Sequence, residues 1–392
     1  MSKHSINENK QALYAIALNF LSINAILQVY QSLVPLILQR NFQISELLIG
    51  IITGGTNFIV CLMLLLLNKM KPTLAALTLS SVLLSITLVI TPFSVNSDNI
   101  GLFVLLFCSG MMALSLTKVL SNDFTLQVAP AGKENGAMAL TKIMSTLGGL
   151  AALIVMFLMR DISSFYAMVL LNTLTLGGLM YTSKSINKNR EAKEKAKQEK
   201  AHTGTIGTKV TILVIILLSY TVYDAMLSTF SRYATNVWKM ENNDFAIYQS
   251  ICLVAAFIAY IPIGKSANER NQKKLTLFGL IAMATGLLAM SFFTTFHYIT
   301  IIFFAIIGVG WAAIAVNIVP ILVYGAAPKE VSRLVGYYSV MSNISLILAP
   351  TVSGIVLEYL SYHMLYYTLV GLLILAALLL LFAKTDTKKE IA

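Results

Sequence analysis

The chain has 392 residues, of which 57% are hydrophobic and only 11% are charged, and its mean hydropathy is +0.78. Soluble domains carry roughly 25% charged residues, so this sequence lacks the polar surface that a water-soluble globule needs. The net charge of +11 comes from basic residues spread over many short polar segments, so we expect no nucleic-acid partner.

Twelve long apolar segments follow one another along the chain, and each is long enough to cross about 30 Å of hydrocarbon as a helix. We predict spans at 12–38, 46–68, 72–93, 99–121, 136–158, 163–183, 209–233, 245–264, 274–295, 298–325, 334–357 and 362–383. The segments are continuously apolar, whereas the strands of a membrane β-barrel alternate apolar and polar residues. The first segment lacks a small-residue cleavage site, so it is expected to stay in the mature protein. The sequence therefore predicts an all-α membrane protein.

A polar stretch at 184–208 divides the chain into two nearly equal parts of six spans each, 1–183 and 209–392. When the N-terminus is placed in the cytoplasm, all but four of the 28 basic residues lie on the cytoplasmic side; the exceptions are Arg40, Arg160, Arg232 and Lys239. Basic loops resist translocation, so this bias predicts a multi-pass protein of the cell (cytoplasmic) membrane with both termini and the 184–208 linker in the cytoplasm.

Motifs for catalysis or for binding a cofactor are lacking in the sequence. Cys61, Cys108 and Cys252 each stand alone within a predicted span, which gives neither disulfide nor zinc spacing. The Gly-Lys-Ser string at 264–266 is not a phosphate loop, because Ala259 stands where that motif needs glycine. We therefore expect no enzymatic activity, no cofactor and no metal, and a gradient as the energy source.

Asp224 is the ionisable side chain that lies deepest in a predicted span, 15 residues after Lys209. A charge at the centre of a membrane helix costs roughly 3 kcal/mol on insertion scales, so Asp224 needs a function or a partner. It is a candidate for binding a coupling proton or the substrate; the alternative is a structural hydrogen bond to Tyr220 or Tyr223. Arg232 lies eight residues farther on, ~12 Å along a helix, which is too far for a direct ion pair with Asp224.

Uncharged polar residues give a second set of candidates. Asn24, Gln28 and Gln31 share one face of the first span, where they are suited to hydrogen bonds with sugar hydroxyls. Tyr30 and Trp311 offer ring faces to the same solute. The alternative is that the amides make contacts between helices, which membrane bundles use routinely. Further cavity candidates are Tyr220, Tyr223, Asn317 and Asn343.

Three strings resemble a known family. Residues 26–38 read ILQVYQSLVPLIL, residues 261–280 read IPIGKSANERNQKKLTLFGL, and residues 308–354 begin with GVGWAAIAVNIVP. The last string carries the most shared features: the Gly-Trp-Ala lead, Asn317, Pro320, Gly336-Tyr337-Tyr338, Ser342, Pro350 and Gly354. With the two equal six-span halves, these strings resemble a major facilitator superfamily transporter, specifically a divergent bacterial member of the sucrose and glycoside transporter-like branch.

The resemblance implies twelve transmembrane helices in two pseudo-symmetric six-helix bundles that work by alternating access. It implies a midplane cavity lined by spans 1, 2, 4, 5, 7, 8, 10 and 11. We expect a monomer in the lipid bilayer that carries a small-molecule substrate, such as a sugar or glycoside, by symport with a proton. The alternatives are proton-coupled efflux of a drug or metabolite, and a membrane receptor or assembly factor that does not transport.

The resemblance also predicts a cytoplasmic gate, although the first copy of its motif is degraded. The family's loop between spans 2 and 3 usually reads G-x-x-x-D-R-x-G-R-R, whereas this chain has only LNKMKPT at 67–73. The second copy, which follows span 8, retains more residues of the motif. The candidate gate residues are Asp123, Lys69, Lys71, Gly264, Glu269, Arg270, Lys273 and Lys274. The degraded first copy of the motif leaves the non-transporting alternative open. The absence of a Gly-Pro signature in span 5 disfavours efflux.

Overall fold

The computed structural model describes residues 3–67, 73–128, 134–159, 163–182, 206–240, 244–266, 271–324 and 328–383. Twelve α-helices follow one another in these ranges. They are α1 (Lys3–Arg40), α2 (Glu46–Leu67), α3 (Leu74–Asn96), α4 (Ile100–Val128), α5 (Glu134–Met159), α6 (Ser164–Tyr181), α7 (Ile206–Asn236), α8 (Phe245–Ser266), α9 (Gln272–Ser291), α10 (Thr300–Val323), α11 (Pro328–Tyr359) and α12 (Tyr362–Phe382).

All twelve helices contain a stretch that is long and apolar enough to cross a membrane, which confirms the predicted all-α membrane fold. Several helices extend beyond the predicted spans: α1 begins at Lys3, α4 continues to Val128 and α11 begins at Pro328. The apolar segment marks the part of a helix that meets hydrocarbon, whereas the backbone hydrogen bonds continue into polar residues that also favour helix.

The helices group into two compact units. The first unit comprises Met1–Ile44, Gly55–Gln198 and Asn242–Ile247, and the second comprises Ser45–Gly54, Glu199–Glu241 and Tyr248–Ala392. The first turns of α2 therefore pack in the second unit, and the rest of α2 packs in the first. Of the polar linker predicted at 184–208, residues 184–205 lie outside the described residues.

The two units repeat one packing pattern, offset by six helices. In the first unit α1 packs on α4, α5 and α6, and α3 packs on α4 and α6. In the second unit α7 packs on α10, α11 and α12, and α9 packs on α10 and α12. The most apolar windows of α1 and α7 are 67% buried, against 28–50% in the other ten helices, so these two helices are central in their units.

Small residues allow the closest helix contacts. A Cβ atom on Gly148 of α5 would lie 2.0 Å from the carbonyl oxygen of Leu21 in α1. A Cβ on Gly308 of α10 would lie 2.1 Å from the carbonyl oxygen of Cys252 in α8. Membrane helices use such glycines because van der Waals contact between backbones stabilises helix association in lipid.

Replacing Gly148 by leucine should therefore separate α1 from α5. We expect Gly148→Leu to lower the free energy of unfolding by about 2 kcal/mol, because the added side chain meets backbone that cannot move aside. Gly177→Leu is the matched control, since a Cβ at Gly177 of α6 meets no atom within 4 Å. Thermal unfolding of the purified protein in detergent measures the difference; equal midpoints for the two variants would contradict the close α1–α5 contact.

Candidate functional site

The central helix of the first unit has a partly exposed strip in its polar middle. Asn24 and Gln31 are half-buried, while their neighbours on the other faces of α1 are buried. The Asn24 amide donates to the Ser145 hydroxyl of α5 at 2.9 Å and to the Phe20 carbonyl at 3.0 Å. Gln28 is only 5% exposed and donates to Ser32 on its own helix at 3.0 Å. Asn24 and Gln31 therefore remain partly exposed, and Gln28 does not.

Tyr30 lies in the core of the first unit. Its side chain is 1% exposed, and its ring makes an edge-to-face contact with Phe107 of α4 at 5.5 Å and a tilted contact with Phe165 of α6 at 6.1 Å. The sequence suggested that Tyr30 offers a ring face to solute, but its ring packs against other helices instead. The reason is that position 30 lies on the side of α1 that meets α4 and α6.

An aromatic cluster lies around the middle of α7 in the second unit. Tyr223 stacks on Trp311 of α10 with a centroid distance of 3.8 Å and an angle of 2°. Tyr220 meets Trp311 edge to face at 4.8 Å, and its hydroxyl lies 2.8 Å from that of Tyr338 on α11. We call Tyr220, Tyr223, Trp311 and Tyr338 the aromatic cluster. It brings together three residues that the sequence suggested separately and adds Tyr338. Tyr220 and Tyr223 are buried, whereas Trp311 and Tyr338 are half-buried.

Asp224 lies directly after Tyr223 on α7, is half-buried, and has a partner on α11. The Ser345 hydroxyl lies 2.8 Å from Asp224 Oδ2 and also 2.8 Å from the Ser342 carbonyl oxygen. A hydroxyl has one proton, so Ser345 can donate it to ionised Asp224 or to the Ser342 carbonyl when Asp224 is protonated. This arrangement accommodates both the ionised and the protonated form of the carboxyl group.

The remaining amide candidates bond to their own helices. Asn317 of α10 is fully buried and donates to the Ala313 carbonyl at 2.8 Å. Asn343 of α11 is half-buried and donates to the Ser339 carbonyl at 3.0 Å. Asn343 is therefore the more exposed of the two.

The suggested cytoplasmic gate lies largely outside the described residues. Lys69, Lys71, Glu269 and Arg270 fall there, as does the side chain of Asp123. Lys273 donates to the carbonyl oxygens of Leu381 and Ala383 at 3.2 and 2.8 Å, so it caps the end of α12. Gly264 and Lys274 are exposed. The described residues therefore give Lys273 a contact within its own unit.

A buried ion pair at the other end of the second unit was missed by the sequence analysis. Arg232, which is 2% exposed, pairs with Glu46 at the start of α2. Tyr362 of α12 donates to Glu46 Oε1 at 2.8 Å. The available signal was Arg232 itself, which stands at the end of an apolar span, but the sequence offered no way to find a partner 186 positions away.

Comparison with known proteins identifies the fold. Residues 212–392 match the sequence model of the Major Facilitator Superfamily. A search of curated proteins found no match. Solved structures resemble the chain over nearly its whole length. The inward-open xylose transporter XylE from E. coli is 15% identical, with a TM-score of 0.72 and 98% of each chain covered.

Two further structures give the same result. The nucleoside transporter NupG is 15% identical, with a TM-score of 0.70, and the match covers 96% of this chain and 99% of that one. A bacterial homologue of the human lysosomal transporter Spinster is 12% identical, with a TM-score of 0.68 and 98% and 97% covered. The chain therefore has the fold of the major facilitator transporters. The likeness to the sucrose and glycoside branch stays a prediction.

Trp311 can report directly on the aromatic cluster. The protein has only two tryptophans, so Trp238→Phe leaves Trp311 as the sole one. In that background we expect Tyr223→Ala to raise the acrylamide quenching constant at least about twofold, because one indole face loses its stacked ring. Tyr220→Phe keeps its ring and should leave quenching nearly unchanged. Equal quenching in the Tyr223→Ala and parent proteins would argue against the stacked pair.

Proposed function

We propose that this chain is a secondary transporter of the major facilitator superfamily, working by alternating access between six-helix bundles formed by 1–183 and 209–392. In this proposal the 184–208 segment is a cytoplasmic tether, both termini lie in the cytoplasm, and the protein acts as a monomer in the cell membrane. The fold, the match of residues 212–392 to the superfamily model and the distribution of basic residues support it.

The proposed substrate is a small, polar, hydroxylated organic solute such as a sugar or glycoside. The supporting observation is the convergence of Asp224 with the aromatic cluster in the second unit. The half-buried side chains here are Trp311, Tyr338 and Asp224. Phenol and carboxyl oxygens accept hydrogen bonds from solute hydroxyls, and an aromatic ring packs on the apolar face of a sugar ring. A few polar groups in a mainly apolar lining are typical of small-molecule sites. Similar structures named for xylose and nucleoside transport fit this class.

The proposed coupling ion is a proton carried by Asp224. The carboxyl group lies 16 residues after the start of the span at Thr208 and 12 residues before its end at Asn236, near the middle of the helix. Burying an ionisable group in the middle of a membrane helix costs free energy, so such a group is usually kept for a function. The Ser345 hydroxyl can donate to Asp224 when that carboxyl group is ionised and to the Ser342 carbonyl when it is protonated. Substrate binding at the adjacent aromatic cluster then favours one protonation state of Asp224 and couples the two events.

Solute flux in proteoliposomes tests the proposal. We expect an imposed inward proton gradient to drive accumulation of at least one probe from a panel of radiolabelled sucrose, xylose, uridine and aryl glucosides. Asp224→Asn should abolish accumulation yet keep exchange of the same probe, because an amide retains hydrogen bonding but cannot release a proton. Adding Asn343→Asp to that variant is not expected to restore accumulation.

The alternatives predict different outcomes in the same experiment. Flux that does not depend on the imposed proton gradient, and is the same in Asp224→Asn, would overturn proton coupling. A gradient that drives apolar dyes but none of the hydroxylated probes would favour efflux of drugs or metabolites. No flux of any probe, with Trp311 fluorescence still quenched by one of them, would favour a receptor that does not transport.

A further inference from the structure

Asp224 and the aromatic cluster meet where α7 packs on α11 in the second unit. Tyr220 and Asp224 are four residues apart, which is ~6 Å along the axis of α7 and ~40° around it. Tyr338 and Ser345 are seven residues apart and so share a face of α11. The Tyr220 and Tyr338 hydroxyls lie 2.8 Å apart, and Ser345 donates to Asp224 at 2.8 Å. A carboxyl group and a pair of aromatic rings therefore lie about one helical turn apart.

Part of this arrangement is exposed. Asp224, Trp311 and Tyr338 are all half-buried. Ionisable residues in membrane helices almost always face the bundle interior or a water-filled cavity, so we place the exposed part of Asp224 there rather than in lipid. Tyr260 of α8 adds a further half-buried ring, because it packs against the same buried alanines as Trp311. Half-buried rings from α8, α10 and α11 therefore lie around the middle of α7, where Asp224 stands.

The charges of these groups favour a positively charged ligand. Ionised Asp224 carries a full negative charge, and the Ser345 hydroxyl that donates to it is neutral. The face of an aromatic ring also attracts a cation within ~6 Å of the ring centroid, and tryptophan does so most strongly. A cation gains from both attractions, whereas a neutral solute gains only hydrogen bonds and packing.

An organic cation suits the arrangement better than a metal ion. A cation such as Ca²⁺ takes about six to eight oxygen ligands. The part of the chain that the structure describes contains no group of three or more His, Cys, Asp or Glu side chains that could hold a metal. An organic ammonium ion needs no such ligand set, because its alkyl groups carry the positive charge onto aromatic faces.

We propose that Asp224 and the aromatic cluster bind a small organic ammonium ion, whose charge pairs with the carboxylate and packs on the half-buried rings of Trp311 and Tyr338. This adds a second ligand class to the residues proposed above for hydroxylated solutes. The inference goes beyond the proposed function, because binding requires neither transport nor coupling. All of the residues involved belong to the second unit.

Choline and its neutral isostere 3,3-dimethylbutan-1-ol test the role of charge without any variant. The two molecules share their shape and their hydroxyl group, and they differ in that carbon replaces the charged nitrogen. Calorimetric titration of the purified protein is carried out in alkaline buffer, which favours the ionised carboxyl group. We expect choline to bind at least about tenfold more tightly than the isostere. Equal affinities, or no binding of choline, would overturn the proposal.

Removing the carboxylate tests its part in binding. We expect Asp224→Asn to weaken choline binding at least about tenfold and to leave the isostere unchanged, because only the cation uses the charge. Asp98→Asn is the matched control, since it removes one carboxylate from an exposed position after α3. Choline affinity that is unchanged in Asp224→Asn, or lowered equally in Asp98→Asn, would contradict an ion pair with Asp224.

The aromatic contribution is separated from that of the phenol hydroxyl at Tyr338. Tyr338→Leu should weaken choline binding at least about fivefold, whereas Tyr338→Phe keeps the ring face and should stay within about twofold of the parent. Tyr337→Leu removes the neighbouring exposed tyrosine and should leave choline binding unchanged. An equal loss in Tyr338→Phe and Tyr338→Leu would refute packing of the cation on the ring. If Tyr338→Leu fails to fold in a thermal melt, the comparison of choline with its isostere still decides the matter.

Binding and transport fail separately in these experiments. Accumulation of a panel probe in proteoliposomes by a protein that does not bind choline would overturn the ammonium site and leave the proposed function intact. Choline binding with the expected dependence on Asp224, in a protein that moves no probe, would support the ammonium site and count against the proposed function.

Discussion

The whole structure depends on the absence of water from the hydrocarbon core. Backbone groups there must bond within their own segment, so the chain crosses as helices, and each polar side chain must find a partner or a wet cavity. Twelve apolar helices satisfy the first demand. The second makes the few polar residues informative, because Asp224 and Arg232 are each held by a contact from another helix.

The two units share one packing scheme but differ in the chemistry of their side chains. α1 and α7 occupy equivalent central positions, yet α1 presents neutral amides such as Asn24, and α7 carries a carboxyl group beside aromatic rings. The difference between the units therefore comes from side chains placed on a repeated scaffold. The carboxyl group of Asp224, two members of the aromatic cluster and the buried Arg232 all lie on α7.

Two of the partnered charged side chains in the second unit lie on α7. Asp224 and Arg232 are eight residues apart, ~12 Å on a rigid helix, and both bond to neighbours that belong to the same unit. A small rotation or tilt of α7 would change both contacts together.

The sequence alone determined the twelve apolar helices and the position of Asp224 along one of them, because apolar length follows directly from residue order. It also identified Tyr220, Tyr223 and Trp311, but not that they meet. Tertiary structure decided that Ser345 bonds to Asp224 across 121 positions and that Tyr338 meets Tyr220 across 118. It also decided that Tyr30 is packed in the core and that Arg232 pairs with Glu46. Helical periodicity fixes which residues share a face of one helix, whereas the partner across the interface depends on which helices pack together.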